Sequence, residues 1–194
     1  MIRSFIAVSL PGEVRGRLEQ YGKELKQLGL DGSFPKSESF HLTLKFLGNI
    51  PEQKVDEIGD ALERAVAGVA PLQVSVRGLG VFPGASNPRV VWIGFEHSEL
   101  LKALQERVDR ATEAIGFPGE DRPFRPHLTL ARLKSKANLK ALQEYLKESG
   151  AGAAAGAVPV EEVILFRSDL RPDGARYTRL RSVRLQGEPE HEGE

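Results

Sequence analysis

Apolar positions along the chain switch repeatedly between a spacing of two and a spacing of three or four. Residues 2–9 alternate as a strand does and stop at Pro11. From about Glu13, the residues Val14, Leu18, Tyr21, Leu25 and Leu28 form the stripe of an amphipathic helix, which Gly29 and Asp31-Gly32 end. Alternation returns over Phe40 to Leu47, closed by Gly48. Pro51 then opens a second helix whose buried face is Val55, Ile58, Leu62 and Val66, ended by Gly68 and Pro71. Strands follow over Leu72 to Val81 and Arg89 to Phe95, joined by a turn over Phe82 to Pro88. A third helix, N-capped by Ser98, carries Leu101, Leu104, Val108, Ala111 and Ile115 on one side. A polar loop through Gly119 and Pro123 delivers a further strand beginning at His127. A fourth helix spans roughly Ala137 to Lys147 and carries Leu139, Leu142 and Leu146. Residues 149–157, almost wholly Gly and Ala, read as a flexible connector to two closing strands, Val160 to Phe166 and Arg176 to Leu185.

The order of elements repeats. The first half reads strand, helix, strand, helix, strand; the second reads the same with one strand more. A tetrapeptide repeats with it: His41-Leu42-Thr43-Leu44 recurs as His127-Leu128-Thr129-Leu130, 86 positions later, and the chain has only four histidines. This is the pattern of an internal duplication. It predicts an α+β fold of two similar lobes related by a pseudo-two-fold axis. Mainly antiparallel sheets flanked by helices would enclose a central cleft, because no strict βαβ rhythm or Gly-rich βα turn is present. Residues 1–187 are expected to form one bilobal domain, and the acidic stretch 188–194 a disordered tail.

Composition narrows the chemistry. The 27 basic and 27 acidic residues cancel, but the tail holds four of the acids and no Lys or Arg, so the remaining chain carries a small positive excess suited to an anionic ligand. With no cysteine, disulfides, thiolate catalysis and zinc–thiolate sites are excluded, and a reducing cytoplasm is the expected location. The apolar start is too short and interrupted for a secretory signal, and no run reaches the ~20 residues that cross a bilayer. No membrane partner is expected.

In a strand, residues two apart share a face. Each motif therefore anchors itself through its leucines and presents an imidazole beside a hydroxyl: His41 with Thr43, His127 with Thr129. Histidine titrates near ~6.5, so of two imidazoles across a cleft one can be neutral and the other protonated near neutral pH. That suits displacement at phosphorus, in which a base deprotonates water and an acid protonates the leaving oxygen. The threonine hydroxyls can donate to the non-bridging oxygens. Neither a metal nor another cofactor is required, and a metal site built on His41 and His127 lacks a third ligand at motif spacing.

These residues and their contexts resemble the two-histidine phosphoesterase superfamily. The resemblance is strongest to the bacterial and archaeal RNA 2′,3′-cyclic phosphodiesterases, historically called 2′-5′ RNA ligases. It rests on Arg3 to Val8, Phe40 to Gly48, Pro126 to Arg132 and the late hairpin Ser168 to Tyr177. It implies hydrolysis of an RNA 2′,3′-cyclic phosphate end to a 2′-phosphomonoester. A cleft shared within one chain requires no dimer, so a monomer is expected. His41 would be the acid toward the departing 3′ oxygen, His127 the base that activates water, and Thr43, Thr129 and Arg132 the phosphate holders. Strict alternation, however, puts Arg132 on the face opposite His127 unless the strand ends, bulges or twists first.

Other residues have competing readings. Phe46 and Tyr177 are candidates to stack on a base. Phe46 shares the leucine face of its strand, which favours core, whereas Tyr177 is evenly balanced. Arg176, with Arg167, Arg171, Arg179, Arg181 and Arg184, forms either a phosphate-tracking surface or a set of solvated charges, with Arg176 pairing Asp173. His97 and His191 read as solvated. Two rival functions remain at this level: RNA end joining by the same site, and an RNA-end-binding module without turnover.

Overall fold

A computed structural model of the chain describes residues 1–119, 121–172 and 174–188. The elements follow in order: β1 (Ile2–Ser9), α1 (Gly12–Gln27), β2 (Gly32–Ser33), β3 (His41–Ile50), α2 (Val55–Val66), β4 (Leu72–Phe82), β5 (Val90–Glu96), α3 (Ser98–Glu113), β6 (His127–Leu133), α4 (Leu139–Ser149), β7 (Ala154–Val160), β8 (Glu162–Arg171) and β9 (Gly174–Arg184). Two sheets result, one ordered β3-β1-β8-β9 and the other β2-β6-β5-β4-β7, and all their pairings are antiparallel. Each sheet carries one motif strand at or next to an edge, with β1 beside β3 and β5 beside β6. The α+β, two-lobed expectation therefore holds.

The halves do not remain separate. Strand β4, from the first half, completes the sheet of the second motif, and β8 and β9, from the end of the chain, complete the sheet of the first. The helices cross over as well. Helix α1 follows β1 yet packs on β6 and β7, while α3 joins β5 to β6 yet packs on β3 and on α2, which itself lies against β8 and β9. One large core runs beneath both sheets. It includes Ile6, Leu18, Leu25, Leu42, Ile50, Ile58, Leu62, Ile93, Leu101, Leu104, Leu130 and Leu142, all fully buried. Burying such side chains stabilises the fold by roughly 1.5–3 kcal/mol each.

The predicted helices appear with their predicted faces. Val14, Leu18, Tyr21 and Leu25 are buried on α1; Ile58, Leu62 and Val66 on α2; Leu101, Leu104 and Val108 on α3. Gly29 ends α1 in the left-handed region (φ 75°), where the Asn138 Nδ2 donates to its carbonyl at 2.8 Å.

Several expectations need correction. Pro51 leads into a 3-10 turn over Glu52–Lys54, and the α-helix proper starts at Val55. Gly48 does not close its strand; β3 runs on to Ile50 with Gly48 at φ 69°. Ser98 does not cap α3 with its side chain, since it is the first helical residue and follows His97 in the left-handed conformation. His97 itself is exposed, as expected.

The Gly/Ala stretch is the largest correction. From Ala154 it is not a connector but the edge strand β7, paired with β4 from Leu72 to Arg77. Its small residues allow α1 to lie close. A Cβ on Gly156 (φ 115°) would meet Val14 Cγ2 at 3.4 Å, and the Tyr21 hydroxyl both accepts from the Ala154 N–H (2.9 Å) and donates to its carbonyl (3.1 Å). The acidic tail from Pro189 onward, including His191, and the expected Arg176–Asp173 pairing lie outside the described residues. No helix among the described residues is long and apolar enough to cross a membrane.

Candidate active site

Both motif strands break their alternation at the same place. In β3, Thr43 pairs with Ala7 and Lys45 with Ile6, which leaves Leu44 unpaired. In β6, Thr129 pairs with Trp92 and Ala131 with Val91, which leaves Leu130 unpaired. Each is a β-bulge that puts two consecutive residues on the core side, Leu44-Lys45 and Leu130-Ala131, all buried. The next residue in each strand then rejoins the His/Thr face. Arg132 consequently lines the same cleft as His127 and Thr129, although strict alternation placed it opposite. Phe46 likewise turns out of the core: it is 61% exposed and lines the cleft beside His41 and Thr43. The reading of Phe46 as a core residue is therefore corrected.

The cleft has a volume of about 840 Å³ and brings together His41, Thr43, Phe46, His127, Thr129, Arg132 and Tyr177. Arg176 is not brought in. Its neighbours Ala175 and Tyr177 face the cleft, and alternation along β9 sends Arg176 the other way. Other members of the arginine set are engaged elsewhere: Arg167 pairs with Asp169 (2.9 Å), Arg179 with Glu162 (2.7 Å) and Arg181 with Glu63 (2.8 Å).

The two imidazoles occupy unlike seats. His41 stacks on Phe5, with centroids 4.6 Å apart and planes 24° apart. It meets the edge of Tyr177 at 4.8 Å, with Phe166 at 6.1 Å behind. Phe5, Ala7, Ile164 and Phe166 form a small apolar cluster of their own on this face of the sheet. Burial among these rings favours neutral imidazole and lowers the His41 pKa from 6.5 to about 4.

His127 is instead held by a polar contact. Its Nδ1 lies 2.7 Å from the Arg125 carbonyl, which can only accept, so Nδ1 carries the hydrogen and Nε2 is left for chemistry. Phe82 meets the ring edge-on at 5.2 Å, and Trp92 lies at 6.5 Å. Trp92 fits there because β4 has glycine beneath it: a Cβ at Gly80 would stand 2.2 Å from the indole.

Sequence reasoning missed several cleft residues: Arg3 and Phe5 on β1, Phe82, and the loop residues Arg122 and Arg125. Arg3 and Phe5 alternate with the buried Ser4 on a strand beside the first motif, which was the available signal. Lys45 was missed for a different reason: a lysine in a strand reads as a surface residue, yet this one is only 2% exposed. It donates to Asp109 Oδ1 on α3 and to the Phe117 carbonyl (3.2 Å), where the loop leading to His127 begins. The cleft lining contains four arginines, Arg3, Arg122, Arg125 and Arg132, and no Asp or Glu among the described residues, while the charge of Lys45 is engaged by Asp109 on the core side. In a chain of zero net charge, that sorting makes the cleft a site for an anion. Among the described residues, no group of three or more His, Asp or Glu is placed to hold a metal ion.

Two histidines on equivalent bulged strands, each with a threonine two residues on, facing one cationic cleft, define a two-histidine phosphoesterase-type site. The chain belongs to the 2′-5′ RNA ligase superfamily, whose profile matches residues 14–171. It is 36% identical over 184 residues to the RNA 2′,3′-cyclic phosphodiesterase of Methanothermobacter thermautotrophicus, covering 95% of this chain and 99% of that one. A crystal structure of a protein from Thermus thermophilus superposes with a TM-score of 0.75 at 34% identity, over 98% of this chain and 100% of that one. Escherichia coli LigT complexed with 3′-AMP superposes with a TM-score of 0.75 at 25% identity, over 95% and 98% of the two chains.

Proposed function

We propose that this protein is an RNA 2′,3′-cyclic phosphodiesterase that opens the cyclic phosphate at an RNA end to a 2′-phosphomonoester. The observation that carries the reading is the convergence of His41, Thr43, His127 and Thr129 on one cleft lined by cations and, among the described residues, no carboxylate. His127 takes a proton from water on Nε2 as the water oxygen bonds to phosphorus. The phosphorus–O3′ bond breaks, and His41 gives its proton to the departing O3′. The Thr43 and Thr129 hydroxyls donate to the non-bridging oxygens, and Arg132 adds positive charge beside them. The base of the end nucleotide stacks on Phe46, with Tyr177 on the same wall.

The acid role of His41 requires that its proton arrive with the substrate. In the empty cleft the ring is neutral at neutral pH. A phosphodiester anion against it favours the imidazolium, because an opposite charge within ~4–6 Å raises a histidine pKa. End joining would use the same groups with a 5′-hydroxyl in place of water, and no feature of the cleft favours it. Binding without turnover would need the cations but neither imidazole. The site is complete within one chain, which supports a monomer, and a cysteine-free enzyme of RNA ends fits the cytoplasm.

His41→Ala and His127→Ala are each expected to lower kcat on a 2′,3′-cyclic nucleotide by about 10³-fold, with the circular-dichroism spectrum unchanged. Full activity in either variant would overturn the mechanism.

A further inference from the structure

We propose that Arg3 holds a backbone phosphate upstream of the reacting end, so that the cleft is built for an RNA chain in preference to a mononucleotide. This deepens the phosphodiesterase reading and rests on it.

The argument starts from the register of β1 against β3. Ala7 lies opposite Thr43, Phe5 opposite Phe46, and Arg3 opposite Asn49. Moving along β1 from the phosphate-holding threonine, this face of the strand carries first the buried Ala7, then Phe5 beside the exposed Phe46 ring, 6.1 Å apart, then a guanidinium. At ~3.3–3.4 Å per strand residue, Phe5 stands ~7 Å and Arg3 ~13 Å beyond Ala7. A single strand leaving the site would place its end base over the Phe46 ring and its next phosphates beside Arg3, in the alternation of aromatic and cation that single-strand binders use.

The opposite sheet sharpens the point. Phe46 and Arg132 occupy equivalent positions, each three residues after its motif threonine and each just past its bulge. One sheet thus sets its cation next to the reacting phosphate. The other fills that position with a ring and sets its cation one residue pair further out. Two cations at unequal distances suit two phosphates of one chain. The charge of Arg3 also faces no carboxylate within the cleft lining of the described residues. Its guanidinium acts instead on Tyr177, whose hydroxyl pKa it pulls down against a larger upward push from burial. Arg179 and Arg181, outside this cleft, each face a glutamate.

The test compares kcat/KM for adenosine 2′,3′-cyclic phosphate and for a triadenylate ending in the same cyclic phosphate, across a series of salt concentrations. The wild-type protein is expected to favour the triadenylate, with a log–log salt slope steeper by ~0.7 for each phosphate neutralised. Arg3→Gln is expected to cut the trimer-to-monomer ratio about tenfold and to remove that extra slope, while Arg3→Lys retains most of the slope. Arg179→Gln, outside the cleft, should leave the ratio unchanged. An equal loss on both substrates in Arg3→Gln, or an unaltered ratio, would overturn the proposal. Fluorescence anisotropy with a triadenylate ending in 2′-phosphate reads the same contribution from binding alone. Absence of turnover in the wild type would therefore count against the phosphodiesterase reading, while the binding measurement still decides the role of Arg3.

Discussion

The seat of His41 makes stability depend on pH in a way that one substitution isolates. The folded-state pKa of this imidazole is lowered to about 4, from an unfolded value near 6.5. A depressed histidine pKa means that the unfolded chain binds the proton more readily than the folded one. Between those two values, falling pH therefore favours unfolding; above pH 6.5 the effect vanishes, and below pH 4 it reaches its full size. Integrating the linkage from about pH 7 to about pH 4.5 gives a loss of about 2 kcal/mol from this group. Carboxylates titrate in the same window, so wild type alone would not be informative. His41→Asn removes the imidazole and leaves those carboxylates in place. Urea unfolding of both proteins at about pH 7 and about pH 4.5 is the assay. The wild type should lose about 2 kcal/mol more than the variant over that interval. Parallel losses in the two proteins would refute the claim that the Phe5, Phe166 and Tyr177 rings hold His41 neutral.

The same seat has a binding counterpart. Near neutral pH, titrating the protein with a 2′-phosphorylated nucleotide should take up protons from the buffer, seen as a heat that scales with buffer ionisation enthalpy, and His41→Asn should abolish the uptake; a buffer-independent heat in wild type would count against it. Phe46→Ala, at an exposed position, should raise KM roughly tenfold with little change in stability, since a stacked base is worth ~1–3 kcal/mol. Lys45→Met leaves Asp109 without its partner and should cost about 3 kcal/mol in thermal or urea unfolding. Because Lys45 also holds the Phe117 carbonyl at the root of the loop that orients His127, kcat in that variant should fall at temperatures where it is fully folded.

The site was legible because chemistry and periodicity agreed: two identical tetrapeptides put like side chains on like faces, and the structure gathers them in one cleft. The bulges were not legible. Whether Leu44 or Leu130 has a cross-strand partner depends on how β1 and β5 are registered, and nothing within the tetrapeptides records that register. That single omission explains both the puzzle of Arg132 and the misplacement of Phe46, since each lies just past the irregularity. The Gly/Ala stretch failed for a different reason. Small residues have the same composition in a loose linker and in a strand that a helix approaches closely, and only the presence of Val14 and Tyr21 above them separates the two. Lys45 reads as one more surface lysine until its partners on α3 and the following loop are known.

The crossing of elements between the sheets bears on how the enzyme moves. Two lobes joined by a short linker would open and shut about a hinge, and the gap between the imidazoles would vary with that angle. Here α1 and α3 are each sent to the sheet opposite the strand they follow, and β4 and β8–β9 are sent across in the same way. No single axis can be bent without shearing a shared core. The span between His41 and His127 is accordingly set by packing, as the jaws of a fixed gauge are set. Such a cleft meets its substrate with both imidazoles already at their working separation, and it leaves adaptation to substrate to the side chains and loops at the rim.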